Sequence, residues 1–155
     1  MKIAIVQVRG VVGLSKKIKD TFRILKLPKK HSCVIIDATS STKGMLIFLK
    51  DYITWGEIDQ ATIKILLEKR GKLAGNILLT EAYLKEKIKM NYDEFSKTLF
   101  EGKHTLRDVP GLKPYFRLKP PTKGFERGGI KVPYSMGGAL GYRKEHINEL
   151  IRRMI

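Results

Sequence analysis

Within its first 58 residues the chain passes through five short segments of alternating period, and their order leaves few folds open. "KIAIVQVRG" reads as a buried strand, with Ile3, Ile5, Val6 and Val8 in one short run closed by Gly10. "GLSKKIKDTFRILKLPKK" follows as a helix. Ser15 is placed to cap it, Ile18, Phe22 and Leu25 share a face, and Pro28 stops it. "SCVIID" is a second strand, "TSSTKGMLIFLKD" a second helix with Met45, Phe48 and Leu49 expected inward, and "YITWGEI" a third strand. Strand–helix–strand–helix–strand implies helices laid on a sheet.

The remainder is organised differently. "DQATIKILLEKRG" reads as a helix from an Asp59 cap to Gly71, with Ile63, Leu66 and Leu67 on one stripe. "TEAYLKEKIKM" and "NYDEFSKTLFEG" are two more helices. In the second, Asn91 and Glu94 have capping-box spacing and Gly102 ends the helix. "LKPYFRLKPP" offers a further strand, and "KEHINELIRRMI" closes the chain as an amphipathic helix. Between them lies 120–144, "PPTKGFERGGIKVPYSMGGALGYRK", with no helical or strand period. The fold class is α+β: a two-layer β-α-β-α-β core over residues 1–58, a helical extension over 59–111, and a basic Gly/Pro-rich arm with a terminal amphipathic helix over 112–155.

Charge follows the same division. The chain carries a formal net charge of +16. Residues 1–58 hold 11 basic and 4 acidic groups, residues 59–111 hold 10 and 8, and residues 112–155 hold 10 and 3. Both ends are strongly basic and the middle is near balance, a distribution that points to an anionic partner for the ends. The longest clean apolar run, "MLIFL" at 45–49, is far below the ~18 residues a membrane span needs. No signal peptide is visible, so the expectation is a soluble, cytoplasmic protein with no membrane partner.

Catalytic readings fail on spacing. Gly124 and Gly129 are spaced as in a P-loop, but Ile130 stands where lysine is required. Glycines at 137, 138 and 141 miss the dinucleotide fingerprint. His31, His104 and His146 are scattered without ligand spacing, and Cys33 stands alone in an apolar run. Asp37 and Asp51 fit turn or cap duty, and Glu145 and Glu149 fit a solvated ion-pair face beside Arg152 and Arg153. The expectation is no enzyme, no cofactor and no metal.

Backbone recognition of RNA is left. Lys and Arg neutralise phosphates, glycines let a main chain approach closely, and Tyr134 and Tyr142 offer faces for an unstacked base. Pro120 and Pro121 keep the arm extended, and the helix after it makes 120–144 a loop anchored at both ends. An arm of this composition is expected to order on RNA. Lys16, Lys17, Lys19 and Arg23 lie off the apolar stripe of the first helix. Gly44, inside the second, costs about 1 kcal/mol relative to Ala, which either an approaching partner or tight helix–sheet packing would explain.

"VQVRG", "KGMLIFLKDYITWGE", "FRLKPP", "GGIKVPY", "GGALGYR" and "INELIRRM", in that order, resemble the ribosomal large-subunit protein thirty family, called protein seven in eukaryotes. The C-terminal motifs match its longer archaeal and eukaryotic form, and the lack of a long basic N-terminal extension resembles the archaeal one. The resemblance implies a ferredoxin-like core and a structural place in the large (50S) subunit. It also implies binding to large-subunit ribosomal RNA near 5S RNA, beside neighbouring ribosomal proteins. Carried over by position, the RNA-facing residues are Arg9, Gly10, Lys16, Lys17, Lys43, Gly44, Trp55, Gly56, Arg70, Gly71 and the 117–144 arm. Within the arm these are Arg117, Lys119, Lys123, Gly124, Arg127, Gly128, Gly129, Lys131, Gly137, Gly138, Tyr142, Arg143 and Lys144. Trp55 also fits a core lid. Where the family often has Arg then two Gly after the double proline, Thr122 and Lys123 precede Gly124; where it often has an acid before the paired glycines, Met136 stands. The rival reading is a regulatory RNA- or DNA-binding protein acting outside the ribosome.

Overall fold

In the computed structural model, which describes residues 2–155, the first apolar run forms strand β1 (Lys2–Gln7), buried at all six positions. It lies in the middle of one sheet of order β4-β2-β1-β3-β5. The other strands are β2 (Ser32–Asp37), β3 (Ile53–Glu57), β4 (Phe116–Arg117) and β5 (Gly141–Tyr142). β1 runs antiparallel to both β2 and β3, β4 is antiparallel to β2, and β5 is parallel to β3. The helices are α1 (Lys16–Ile24), α2 (Ser40–Phe48), α3 (Gln60–Arg70), α4 (Glu81–Ile88), α5 (Tyr92–Glu101) and α6 (His146–Met154).

The two-layer core predicted for the first 58 residues is present, and the rest of the chain covers its open face. Ile3 and Ile5 point to a cluster with Phe22, Leu25, Leu46 and Leu49 from the α1 and α2 side. Ala4 and Val6 point the other way, to Leu66 of α3, Phe95 of α5 and Ile147, Leu150, Ile151 and Met154 of α6. A strand period of two therefore reads as continuous apolar residues, because both faces are dry. Burying the four inward side chains of α6 contributes on the order of 6–12 kcal/mol before chain entropy is counted. That burial is what ties the far end of the arm to the core.

Local expectations hold with specific exceptions. The Asp59 carboxylate accepts from the Thr62 amide at 2.7 Å, and the Glu94 carboxylate accepts from the Asn91 amide at 3.1 Å. Ser15 occupies the N-cap of α1 but its side chain makes no capping bond. In α2 the inward stripe is Thr42, Leu46 and Leu49; Phe48, expected inside, is 51% exposed. The apolar run 45–49 is longer than a helix face, and only one turn in it can point to the sheet.

The topology gathers several basic loops at one end of the sheet. β1 ends where β2 and β3 begin: the His31 amide donates to Gln7 at 2.8 Å, and the Val8 and Arg9 amides both donate to Tyr52 at 3.0 Å. Arg9–Gly10, Lys29–Lys30 and Lys50 thus flank that end. The arm crosses it. Phe125 stacks on His31 with ring centroids 6.1 Å apart, and Val8, Ala139 and Leu140 form a small cluster with Phe125 and Ile130.

Candidate nucleic-acid interface

The arm is a folded loop held by its own main chain. The Lys119 and Thr122 amides donate to Met154 and Arg153 at the end of α6, each at 2.8 Å. Gly128 donates to Gly137 at 2.9 Å, Ala139 to Gly129 at 3.0 Å and Tyr134 to Leu140 at 2.7 Å. Gly141 and Tyr142 then add β5 to the edge of β3. The arm, expected to order on RNA, thus carries main-chain bonds of its own. Its contacts are long in sequence and leave no local period, so a scan for helix or strand patterns misses them.

Arg143 is the pin. Expected to face RNA, the residue is instead only 2% exposed. Its Nε donates to Thr54 Oγ1 at 2.8 Å, Nη1 to Glu126 Oε1 at 2.7 Å, and Nη2 to Glu126 Oε2 at 3.1 Å and to the Ala139 carbonyl at 2.9 Å. The plane lies over Tyr134, 4.6 Å from the ring centroid, so the Tyr134 face expected to stack a base is occupied. Arg153 stands 3.5 Å from the same carboxylate. Burial by itself would raise the Glu126 carboxyl, but hydrogen bonds from Arg143 and the charges of Arg143 and Arg153 hold it below the ordinary carboxylate range. Glu126 escaped the sequence reading, although it is the lone acid between Asp108 and Glu145.

Seven glycines and Arg70 are explained from within. A Cβ on Gly56 would overlap the Lys144 carbonyl oxygen, one on Gly138 would overlap the Val132 carbonyl oxygen, and one on Gly128 would lie 2.7 Å from the Gly137 oxygen. Gly71 lies against Leu67 and Leu79, and its φ of −59° is ordinary, so close packing and not a left-handed cap requires it. Arg70 donates through Nη2 to the main-chain oxygen of Ile155. Gly124, Gly129 and Gly137 have φ of 76°, 76° and 80°, which the turns of the arm demand.

What remains exposed is a set of cations without carboxylate partners. Lys119, Lys123, Arg127, Lys131 and Lys144 on the arm, and Lys16, Lys17 and Lys19 on α1, are exposed and make no ion pair among the described residues. Arg23 reaches Asp20 only at 3.7 Å, and Arg117 donates to the Lys30 carbonyl at 3.3 Å. Arg9 is half-buried, donating to the Asp51 carbonyl at 3.1 Å with its guanidinium 5.2 Å from the Tyr52 centroid. In the middle of the chain, by contrast, Lys64, Lys85, Lys87 and Lys103 each reach a carboxylate within 3.0 Å.

Two exposed glycines have no internal reason to be glycine. Gly10 and Gly44 have ordinary φ, and a Cβ on either would meet nothing within 4 Å. For Gly44 this removes helix–sheet packing as the explanation. Beside it, Lys43, Ile47, Trp55 and Tyr142 line a groove of about 430 Å³. Ile47 is 64% and Tyr142 47% exposed; Trp55 is half-buried against the sheet core and 6.4 Å from the Tyr142 ring. The Tyr142 hydroxyl donates to Glu57.

Cys33 is fully buried and burial pushes its thiol up to about 12, so it is a packed hydrophobe. The chain is thus an α+β core wrapped by a folded arm, with exposed cations on the arm and α1 that meet no carboxylate among the described residues, and two exposed glycines open to approach. Comparison with known sequences identifies its family. Residues 3–53 match the family described as Ribosomal protein L30p/L7e. The large ribosomal subunit protein uL30 of Methanopyrus kandleri is 49% identical over 148 residues, covering 95% of this chain and 99% of its own. The protein of the same name from Nanoarchaeum equitans is 49% identical over 98% of this chain and 97% of its own, and that from Archaeoglobus fulgidus 47% identical over 97% and 98%. The chain belongs to this ribosomal protein family, and its α+β core is the one that membership implies.

Proposed function

We propose that the chain is a structural, non-catalytic constituent of the large ribosomal subunit that binds large-subunit ribosomal RNA in the neighbourhood of 5S RNA. The observation that carries this reading is the set of exposed, unpaired cations on the arm and on α1, in a chain whose relatives are named as large-subunit proteins. Such cations displace counterions from phosphates and supply affinity without reading sequence. Arg9, Gly10, Lys43 and Gly44 extend the interface to main-chain approach. Arg143, Gly56, Gly71 and Gly138 drop out of it, because each is buried inside the protein, and Gly128, though exposed, is already required by the Gly137 backbone beside it. The arm thus arrives at RNA folded, and ordering on assembly is confined to its exposed side chains.

The test is binding to archaeal large-subunit ribosomal RNA across a salt series. Wild type is compared with a variant in which Lys119, Lys123, Arg127, Lys131 and Lys144 are changed to Ala. The log–log salt slope should shrink by about 0.9 for each phosphate left unneutralised on a duplex-like site, so by up to about 4.5. An unchanged slope would move the interface off the arm. Failure of the wild-type chain to co-sediment with large subunits would instead favour a regulatory role outside the ribosome.

A further inference from the structure

Five cations from three separate stretches of chain converge on one cleft at the β4 edge of the sheet. Lys29 follows α1, Arg70 ends α3, Lys72 begins the next loop, and Lys113 and Arg117 flank Tyr115 before and within β4. The cleft holds about 320 Å³, and no carboxylate side chain lines it. Its parts are fixed by the fold. The Lys113 amide donates to the Lys72 carbonyl at 2.9 Å, and the Lys113 ammonium donates to Asn76 Oδ1 at 2.6 Å. Arg70 is held by Ile155 and Arg117 by the Lys30 carbonyl.

Gathering five like charges in one concavity costs stability unless an anion enters it. His31 beside the cleft has its pKa lowered by burial first and then by Lys30 and by Arg117, the one cleft cation among the causes. Of the five cleft residues the sequence pointed only to Arg70 and Arg117; Lys29, Lys72 and Lys113 are brought in by pairing between distant loops.

We propose that this cleft is a second RNA-backbone site, taking the phosphates of a strand separate from the one the arm meets. The inference rests on the reading of the chain as an RNA-binding protein and adds a place to it. β4 and β5 are opposite edges of a five-stranded sheet, so strand spacing alone sets the cleft about 19 Å from the far end of the arm, where Lys144 follows β5. Cations presented at both edges of one rigid sheet make the protein a bridge between RNA segments. An RNA strand fits the cleft better than an acidic protein segment because the cations are presented with a half-exposed aromatic ring, Tyr115, on which a base can lie.

The experiment uses the full chain with Lys29, Lys72 and Lys113 changed to Gln, which leaves the Arg70 and Arg117 anchors in place. Thermal unfolding of the variant is measured beside its binding to archaeal large-subunit ribosomal RNA across a salt series. The expected result is a salt slope smaller by about 0.9 for each phosphate released, with an unfolding temperature unchanged or higher because repulsion is relieved. Combined with the five-residue arm variant the two reductions should add, because each set neutralises its own phosphates. If the arm variant weakens binding while the cleft variant matches wild type, the cleft is not an RNA site and the wider reading survives. If wild type itself shows no salt-dependent RNA binding, both fall. An unchanged RNA slope with failed incorporation into large subunits would assign the cleft to an acidic protein neighbour and overturn the proposal. Should the triple variant unfold, Lys72→Gln alone, whose slope should drop by about 0.9, decides the question.

Discussion

Arg143→Ala is expected to cost the folded chain about 3 kcal/mol and to make the arm a substrate for proteases. Removing one partner of a buried pair costs roughly 3–5 kcal/mol, since the other is left charged and undersolvated. The low end applies because Glu126 is a quarter exposed and keeps Arg153 at 3.5 Å. Urea unfolding gives the energy, and limited proteolysis should cut within 120–142 before any other region. Arg143→Lys is expected to recover little, because one ammonium cannot serve two carboxylate oxygens, the Thr54 hydroxyl and the Ala139 carbonyl together. The same pair makes the arm acid-sensitive. Glu126 has a folded pKa below its ordinary value of 4.5, so its contribution is complete above about that pH and is lost as pH falls through the depressed value. Protease sensitivity of wild type should therefore rise only as pH falls below that ordinary value of 4.5, with no change on the neutral side of it. A cost under about 1 kcal/mol for Arg143→Ala, with no new cleavage, would show that the arm is not held by this residue.

The legibility of the fold differs along the chain for a physical reason. β1, β2, β3 and their helices are local: each run has its own period, and Asp59, Asn91 and Glu94 announce helix starts through bonds spanning three residues. What lies on the second face of the sheet is not local. α3, α5 and α6 each look like ordinary amphipathic helices, and only the two-sided burial of β1 hints that something must cover both sides. β5 is two residues long and pairs with β3 across 87 positions, from Thr54 to Gly141, so no period could reveal it.

The site divides along the same line. Exposed lysines such as Lys119 and Lys131 are visible in sequence because charge without a nearby acid is a property of composition. Whether a given arginine faces solvent is a property of packing. Arg143 and Arg127 stand in similar Gly-rich surroundings, yet one is sealed beneath Tyr134 and the other is exposed. The glycines sort the same way: Gly56 and Gly44 both sit in regular elements, and only the structure tells which one is filled from inside.

That difference between two glycines gives the second large effect. Gly56→Ala is expected to cost about 3 kcal/mol, the upper end for overpacking a core. Gly56 pairs with Ala4 in the sheet, and these two small residues form the floor on which the first turn of α6 rests. A methyl group at 56 would overlap the Lys144 carbonyl oxygen and lie 3.1 Å from Ile147 Cβ. Lys144 lies in the segment joining β5 to α6 and Ile147 in the first turn of α6, and neither atom is the free end of a flexible chain. The backbone must lift, which strains the Thr54–Gly141 pairing and the bond from the Arg143 amide to Trp55, now 3.0 Å. Hydrogen exchange should show new opening at 141–147 while β1 and β2 stay protected. Gly44→Ala is the matched control: its methyl group enters open space in a helix, so stability should rise by about 1 kcal/mol. If Gly56→Ala were as harmless as Gly44→Ala, α6 would not be seated on the sheet at this point. The arm would then owe its position to RNA and not to the core.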